Sequence, residues 1–416
     1  MSNAKRIGGI LVGLALSAAA CAETIAIKAG HVVDVEHGSV LDGRIVLIQD
    51  GKIADVADRM PAAAPDKVID LSSSWLVPGL MDMHTHVTYD YQRQLCDIYS
   101  SDSNGYRVLI GLKKSQEMLN AGFTLLRDVG NAGNYADTDL RRAFEAGLFV
   151  GPTFINAGKI IAPFGGQADV VPPEAGPCWN VEYIDADGVE EVRKAVRRNI
   201  FYGARTIKMV SDFRRNSHGI YTEEEVRVAA EESHRAGIIL AVHAKEDATV
   251  IPAVLGGADS IEHAYDVTDK ALKLMKEHGT YLVPTDVPLK RLYESNARPE
   301  LIEFVKSRID RLRRAYKMGV PLAFGTDNTH DAPGLDRGKL QFEFLDDWAE
   351  AGVPPVDILR ALTINGAKLL KLTEERGVIA KGRYADLIAV PSNPLQDIGA
   401  LARSTFVMKD GKVVRQ

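Results

Sequence analysis

His84-Thr-His86 sets two imidazoles two residues apart in the chain. In an extended strand, residues i and i+2 point to the same side, so both rings can reach one ion. Four further residues lie at or near the ends of short apolar runs. They are Lys208 in Thr206-Ile-Lys-Met-Val210, His243 in Leu240-Ala-Val-His-Ala244, His263 in Ser260-Ile-Glu-His-Ala264 and Asp327 in Ala323-Phe-Gly-Thr-Asp327. Polar groups in apolar surroundings cost free energy unless they are paired. A shared divalent cation, or a pair of them, is the simplest partner for all six. Taken singly, each has a plainer reading. His243 could be a core histidine bonded to a carbonyl, and Asp327 could cap a helix. Lys208 is harder to explain away, because lysine is rarely buried alone.

The elements that must carry these residues repeat along the chain. A helix-periodic segment ends in glycine and a short apolar strand follows, at Gly122, Gly147, Gly203, Gly237, Gly257, Gly279 and Gly319. Glycine suits a helix end because left-handed geometry costs it little. One helix opens with a capping box, Thr222-x-x-Glu225. Seven such joins separate eight strands, the first near Leu80 to His86. Alternating strands and helices imply a parallel sheet, and eight strands suggest a (β/α)8 TIM barrel, with a doubly wound open sheet as the alternative. In a barrel the C-terminal strand ends form the active-site face, and all six candidates fall there. The chain ends differ. Ile25-Ala-Ile27, Val32-Val-Asp-Val35, Arg44-Ile-Val-Leu-Ile48, Asp386-Leu-Ile-Ala-Val390 and Thr405-Phe-Val-Met408 read as strands. Asp50-Gly51 and Asp410-Gly411 read as hairpin turns. The expectation is an α/β chain: a barrel over residues 77–374, with residues 23–76 and 375–416 pairing into a small β-sandwich.

The chain has 416 residues and a net charge of −6, with no long basic run, so nucleic acid is not expected as a partner. Lys5 and Arg6 precede an apolar stretch and Ala20-Cys21-Ala22, a leader pattern over residues 1–22 that predicts export to the periplasm or beyond. Lipid anchoring through Cys21 is the lesser alternative. No segment is apolar and long enough for a transmembrane span. Cys96 and Cys178 could pair in an oxidising compartment or remain free thiols. A homo-oligomer is left open.

Pro78-Gly-Leu-Met-Asp-Met-His-Thr-His86, the lysine of the fourth strand, the two later histidines and Gly325-Thr-Asp327 together resemble the amidohydrolase superfamily. Gly377-Val-Ile-Ala-Lys-Gly-Arg-Tyr-Ala-Asp-Leu387 is similar to that family's C-terminal return. The resemblance spans nearly the whole chain after the leader. It is nearest to the exported Xaa-Pro dipeptidase and carboxypeptidase branch, alongside imidazolonepropionase-like enzymes. It implies two divalent ions, commonly zinc, bridged by Lys208 carboxylated by CO2 and by a hydroxide. His84, His86 and Asp327 would hold the more buried ion, and His243 and His263 the more exposed one. Asp327 would also move the proton to the leaving nitrogen.

The implied reaction is hydrolysis of a small-molecule dipeptide or N-acyl amino acid. The runner-up is a cyclic amide, lactone or other non-peptide bond, and a non-catalytic binding protein is the third reading. Relatives of the peptidase branch often carry Gly-Gly-His where this chain has Gly165-Gly-Gln167, and the glycine pair often found after the lysine is missing. Gln167, Arg214, Arg215, His218, Tyr221 and His330 are the candidate substrate contacts, the arginines because a guanidinium binds carboxylate in two-pronged fashion. His31, His37, His234 and His278 read as structural.

Overall fold

The computed structural model describes residues 23–89, 101–167, 172–212, 221–295, 297–329, 331 and 334–416. Both chain ends enter one mixed sheet of seven strands. β1 (Thr24–Asp34) pairs antiparallel with β2 (Ser39–Gln49), which pairs with β3 (Lys52–Ala57). On its other edge β1 runs parallel to β4 (Lys67–Pro78). The C-terminal strands that complete this sheet pair antiparallel: Leu387–Val390 with β4, then Phe406–Lys409, then Lys412–Arg415. The expected pairing of the two ends is therefore present. The seven strands form one hydrogen-bonded sheet, and its two hairpin tips meet where Gly411 lies against Gly51 and Ile48. Asp50 and Gly51 have φ of 51° and 77°, and Asp410 and Gly411 have 48° and 74°. A two-residue hairpin turn of this hand needs both central residues at positive φ, which is why Asp-Gly marks it.

β4 passes through Gly79 into β5 (Leu80–Thr85), the first of the parallel strands. β6 (Phe123–Asp128) and β7 (Thr153–Asn156) complete one three-stranded parallel sheet. A second holds β8 (Ile160–Ala162), β9 (Tyr183–Asp185), β10 (Thr206–Val210), β11 (Ile239–Glu246), β12 (Ser260–Asp266) and β13 (Tyr281–Val283), in the order β13-β12-β11-β10-β8-β9. β8 and β9 were not among the expected strands. The chain at Pro321–Asp327 lies between β13 and β5. Leu282 N bonds Pro321 O at 2.8 Å, Met83 N bonds Phe324 O at 2.8 Å, and Asp327 N bonds His84 O at 2.8 Å. At the other edges, Arg205 N bonds Asn156 O at 2.8 Å.

The helices between strands bury one apolar stripe each against the parallel strands, whose own residues are apolar on both faces. All seven of the helix-ending glycines have positive φ. The Thr222 capping box forms: Thr222 Oγ1 accepts from Glu225 N at 3.3 Å, and Glu225 Oε2 accepts from Thr222 N at 2.8 Å. Among the described residues no helix is long and apolar enough to cross a membrane. Cys178 is disulfide-bonded. The other two cysteines, Cys21 and Cys96, lie outside the described residues, as does the leader-like segment 1–22.

Candidate metal centre

β5 carries His84 near its end, and His86 follows just beyond it. His84 Nδ1 lies 2.6 Å from Glu262 Oε2, and His86 Nδ1 lies 2.9 Å from Gly130 O. With the δ nitrogens engaged, the ε nitrogens of both rings face Asp327. Its Oδ1 is 3.6 Å from His84 Nε2 and 3.3 Å from His86 Nε2. One ligand atom from each of the three lies within 4.8 Å of the other two. Donors converging this way fit a divalent cation. A histidine ligand whose other ring nitrogen is tied to a carboxylate or carbonyl is oriented for that task.

The remaining candidates close around this trio. Val210 of β10 stands beside His243 of β11, and Ala244 stands beside His263 of β12. The His263 ring centroid is 5.2 Å from that of His84 and 4.3 Å from that of His243. His263 Nδ1 is held at 2.6 Å by Thr285 Oγ1. His243 Nε2 lies 3.0 Å from Asp212 Oδ1 and 2.9 Å from the amide nitrogen of Gln167. Lys208 is buried on β10, and among the described residues no carboxylate lies within ion-pair reach of it.

Electrostatics suit metal ligation. Burial lowers His84 to about 4, assisted by the Lys208 charge, and lowers His243 and His263 as well. These rings are neutral near pH 7, the form that donates a lone pair. Burial also lowers Lys208 to about 8, against the pull of Glu262 and Asp327. For Asp327 burial pushes upward, but His84 and His86 outweigh it and hold the carboxyl well below its ordinary range.

Several supporting residues were not singled out from the sequence. Glu262 is fully buried and accepts from Arg127 Nη2 at 2.7 Å and Ser260 Oγ at 2.5 Å while it orients His84. Asp82 accepts from Thr326 N at 3.2 Å and Thr326 Oγ1 at 2.8 Å, which fixes the turn before Asp327. The signal was a charge inside an apolar run, as in Leu125-Leu-Arg-Asp128 and Ile261-Glu262. The backbone is also unusual here. His263, Ala264, Thr285 and Asp327 all have positive φ, at 82°, 47°, 55° and 51°. Non-glycine residues held there cost of order 1–3 kcal/mol each, and they cluster at functional sites.

Of the expected substrate contacts, Gln167 reaches the site through His243. Tyr221 is not brought there. It is buried in the main hydrophobic core, and its hydroxyl donates to Ala186 O at 2.7 Å. Arg214, Arg215, His218 and His330 lie outside the described residues. His234 pairs with Asp259, His31 stacks on Trp75 and His37 pairs with Asp34, all away from the centre. His278 ends the helix Asp269–His278. A cavity of about 290 Å³ opens beside Asp327 and Thr285.

Residues 75–414 match the amidohydrolase family. The chain is 29% identical over 381 residues to an ochratoxinase of Aspergillus niger, covering 82% of this chain and 75% of that protein. A solved Xaa-Pro dipeptidase with methionine bound in its active site superposes with a TM-score of 0.83 at 30% identity, covering 95% of this chain and all (100%) of that one. A prolidase complexed with N-methylphosphonate-L-proline gives a TM-score of 0.82 at 30% identity, over 94% and 100% of the two chains. The chain belongs to the amidohydrolase family, and it is a metal-dependent hydrolase acting on carbon–nitrogen bonds.

Proposed function

We propose that the protein hydrolyses a peptide bond or the amide of an N-acyl amino acid, using two divalent ions of which zinc is the expected identity. The observation that carries this reading is the convergence of His84 Nε2 and His86 Nε2 on Asp327 Oδ1, at the mouth of a cavity. His84, His86 and Asp327 would hold one ion, and His243 and His263 the second. Lys208 would reach both as a CO2-derived carbamate, which supplies an anionic oxygen where a buried ammonium has no partner. A lysine lowered to about 8 keeps a share of the neutral amine that CO2 requires. When bound, the ions supply Lewis acidity toward the amide carbonyl and lower the pKa of water.

The chain's own residues do the rest. Asp327 accepts the proton that water gives up as it adds to the carbonyl carbon. Asp327 then returns it to the departing nitrogen as the C–N bond breaks, leaving a carboxylic acid and an amine. Glu262 and Gly130 hold the two imidazoles in register through this cycle. The bonds of Pro321–Asp327 to β13 and β5, and of Arg205 to Asn156, support a closed (β/α)8 barrel that brings the six residues to one face. The leader-like residues 1–22 are the ground for proposing export.

The experiment is turnover by zinc-reconstituted protein of a library of dipeptides and N-acyl amino acids, with released amino acids quantified. Release from several members is expected. Turnover confined to lactones or ring amides, with silence across the library, overturns the reading.

A further inference from the structure

The cavity beside Asp327 is walled largely by apolar side chains: Tyr265, Val287, Pro288, Leu340 and Phe344. At about 290 Å³ it is larger than the cavity of about 150 Å³ that accepts benzene in an engineered protein core. It has room for an aromatic ring and the backbone atoms attached to it.

Its charges are arranged against a carboxylate. Arg291 is the one cation on the described wall, facing the carboxylates of Glu343, Asp331 and Asp327. Glu343 takes up that cation with both oxygens, from Arg291 Nε at 2.5 Å and Nη2 at 2.7 Å. A two-pronged pair of this kind leaves the guanidinium little capacity for a second carboxylate. Asp331 is paired in turn with Arg337 Nη2 at 2.7 Å. The charged groups of the wall are therefore paired or negative, Thr285, Thr326 and Asn328 are polar but uncharged, and most of the exposed wall is apolar.

We infer that this cavity is a specificity pocket for a bulky uncharged apolar group, aromatic in size, carried by the substrate next to the scissile amide. The inference rests on the amide-hydrolase reading and narrows its substrate class. Val287, Leu340 and Phe344 contact the group. The Arg291–Glu343 pair excludes acidic side chains by presenting no free cation.

The test compares kcat/KM of the zinc-reconstituted protein for matched pairs. One arm varies the leaving amino acid: N-acetyl-L-phenylalanine, N-acetyl-L-alanine and N-acetyl-L-glutamate. The other varies the acyl group: phenylacetyl-L-alanine against N-acetyl-L-alanine. A preference of roughly tenfold or more for the aromatic member is expected in at least one arm, the scale of discrimination an apolar pocket provides. The arm in which it falls assigns the pocket to one side of the bond. Glutamate is expected to be the poorest leaving residue. Glu343→Gln frees Arg291 and should raise the glutamate-to-phenylalanine ratio at least about tenfold. Val287→Arg, at a half-exposed position that tolerates the change, should lower the aromatic preference in the same arm. Amide hydrolysis with no aromatic preference in either arm, or with ratios unmoved in both variants, overturns the pocket while leaving the amide-hydrolase reading standing. An absence of any amide hydrolysis overturns both.

Discussion

Asp327 meets three demands at once. It faces two imidazole nitrogens, it lines the cavity, and it is the carboxylate best placed to carry a proton from water to a leaving nitrogen. Its φ of 51° shows that the backbone bends to aim it, and Asp82 holds the preceding Thr326 by two bonds. Asn at this position keeps the shape and the tolerance for left-handed geometry, but it cannot take up a proton. Asp327→Asn should therefore lower kcat by roughly 10²–10⁴-fold while the melting temperature stays close to wild type, measured by steady-state kinetics and calorimetry. Near wild-type turnover would remove Asp327 from proton transfer. The histidines and Lys208 were legible in the sequence because each is a polar residue set within or just beyond a short apolar strand. Glu262 and Arg127 were not legible as a pair. Their sequence positions are 135 apart, and only the packing of β6 and β12, strands of two different sheets, brings them within 2.7 Å.

At the scale of elements, the site depends on short strands whose ends are bent by positive-φ residues, and on short helices packed behind the cavity. The helix Leu345–Glu350 carries Asp347, which is buried and accepts from Leu289 N at 3.2 Å. Its second oxygen has no hydrogen-bond partner among the described residues. Burial raises its pKa from 3.8 to about 7, with the Leu289 bond opposing and Asp286 reinforcing the shift. A carboxyl raised in the folded state favours folding fully below pH 3.8, and that contribution is lost as pH rises through about 7. Asp347→Asn removes the ionisable group and keeps an acceptor for Leu289. Its melting temperature should exceed that of wild type by about 2 °C or more at pH 8 and converge with it near pH 4, followed by calorimetry across that range. Equal melting temperatures at pH 8 would contradict the cost assigned to this buried charge. Helix ends were the most legible elements, since glycine and the Thr222–Glu225 box act locally. The strand pair β8 and β9 escaped notice because each has three residues, too few to show a period. Tyr221 was misleading for a related reason: an aromatic after the site lysine reads the same whether it faces substrate or packs in the core.

At the scale of the whole molecule, the two chain ends share one sheet, and β4 leads from it through Gly79 into the strand that bears His84 and ends just before His86. Met81 N bonds Leu362 O at 2.7 Å and Gly79 N bonds Asp386 O at 2.8 Å, so the C-terminal part of the chain braces the entry to the first parallel strand. The strand-like runs and the Asp-Gly turns at both ends announced their pairing, because a hairpin signal is local in the sequence. The same whole-chain arrangement draws side chains from residues 84 to 327 into one centre. Metal content of the zinc-reconstituted protein, measured by plasma mass spectrometry after exhaustive dialysis, tests it most directly. About two zinc ions per chain are expected for wild type, falling to about one when His243 and His263 are both replaced by alanine, as a paired-metal hydrolase requires. Wild-type protein that retains no zinc, or a double variant that still retains two ions, would contradict it.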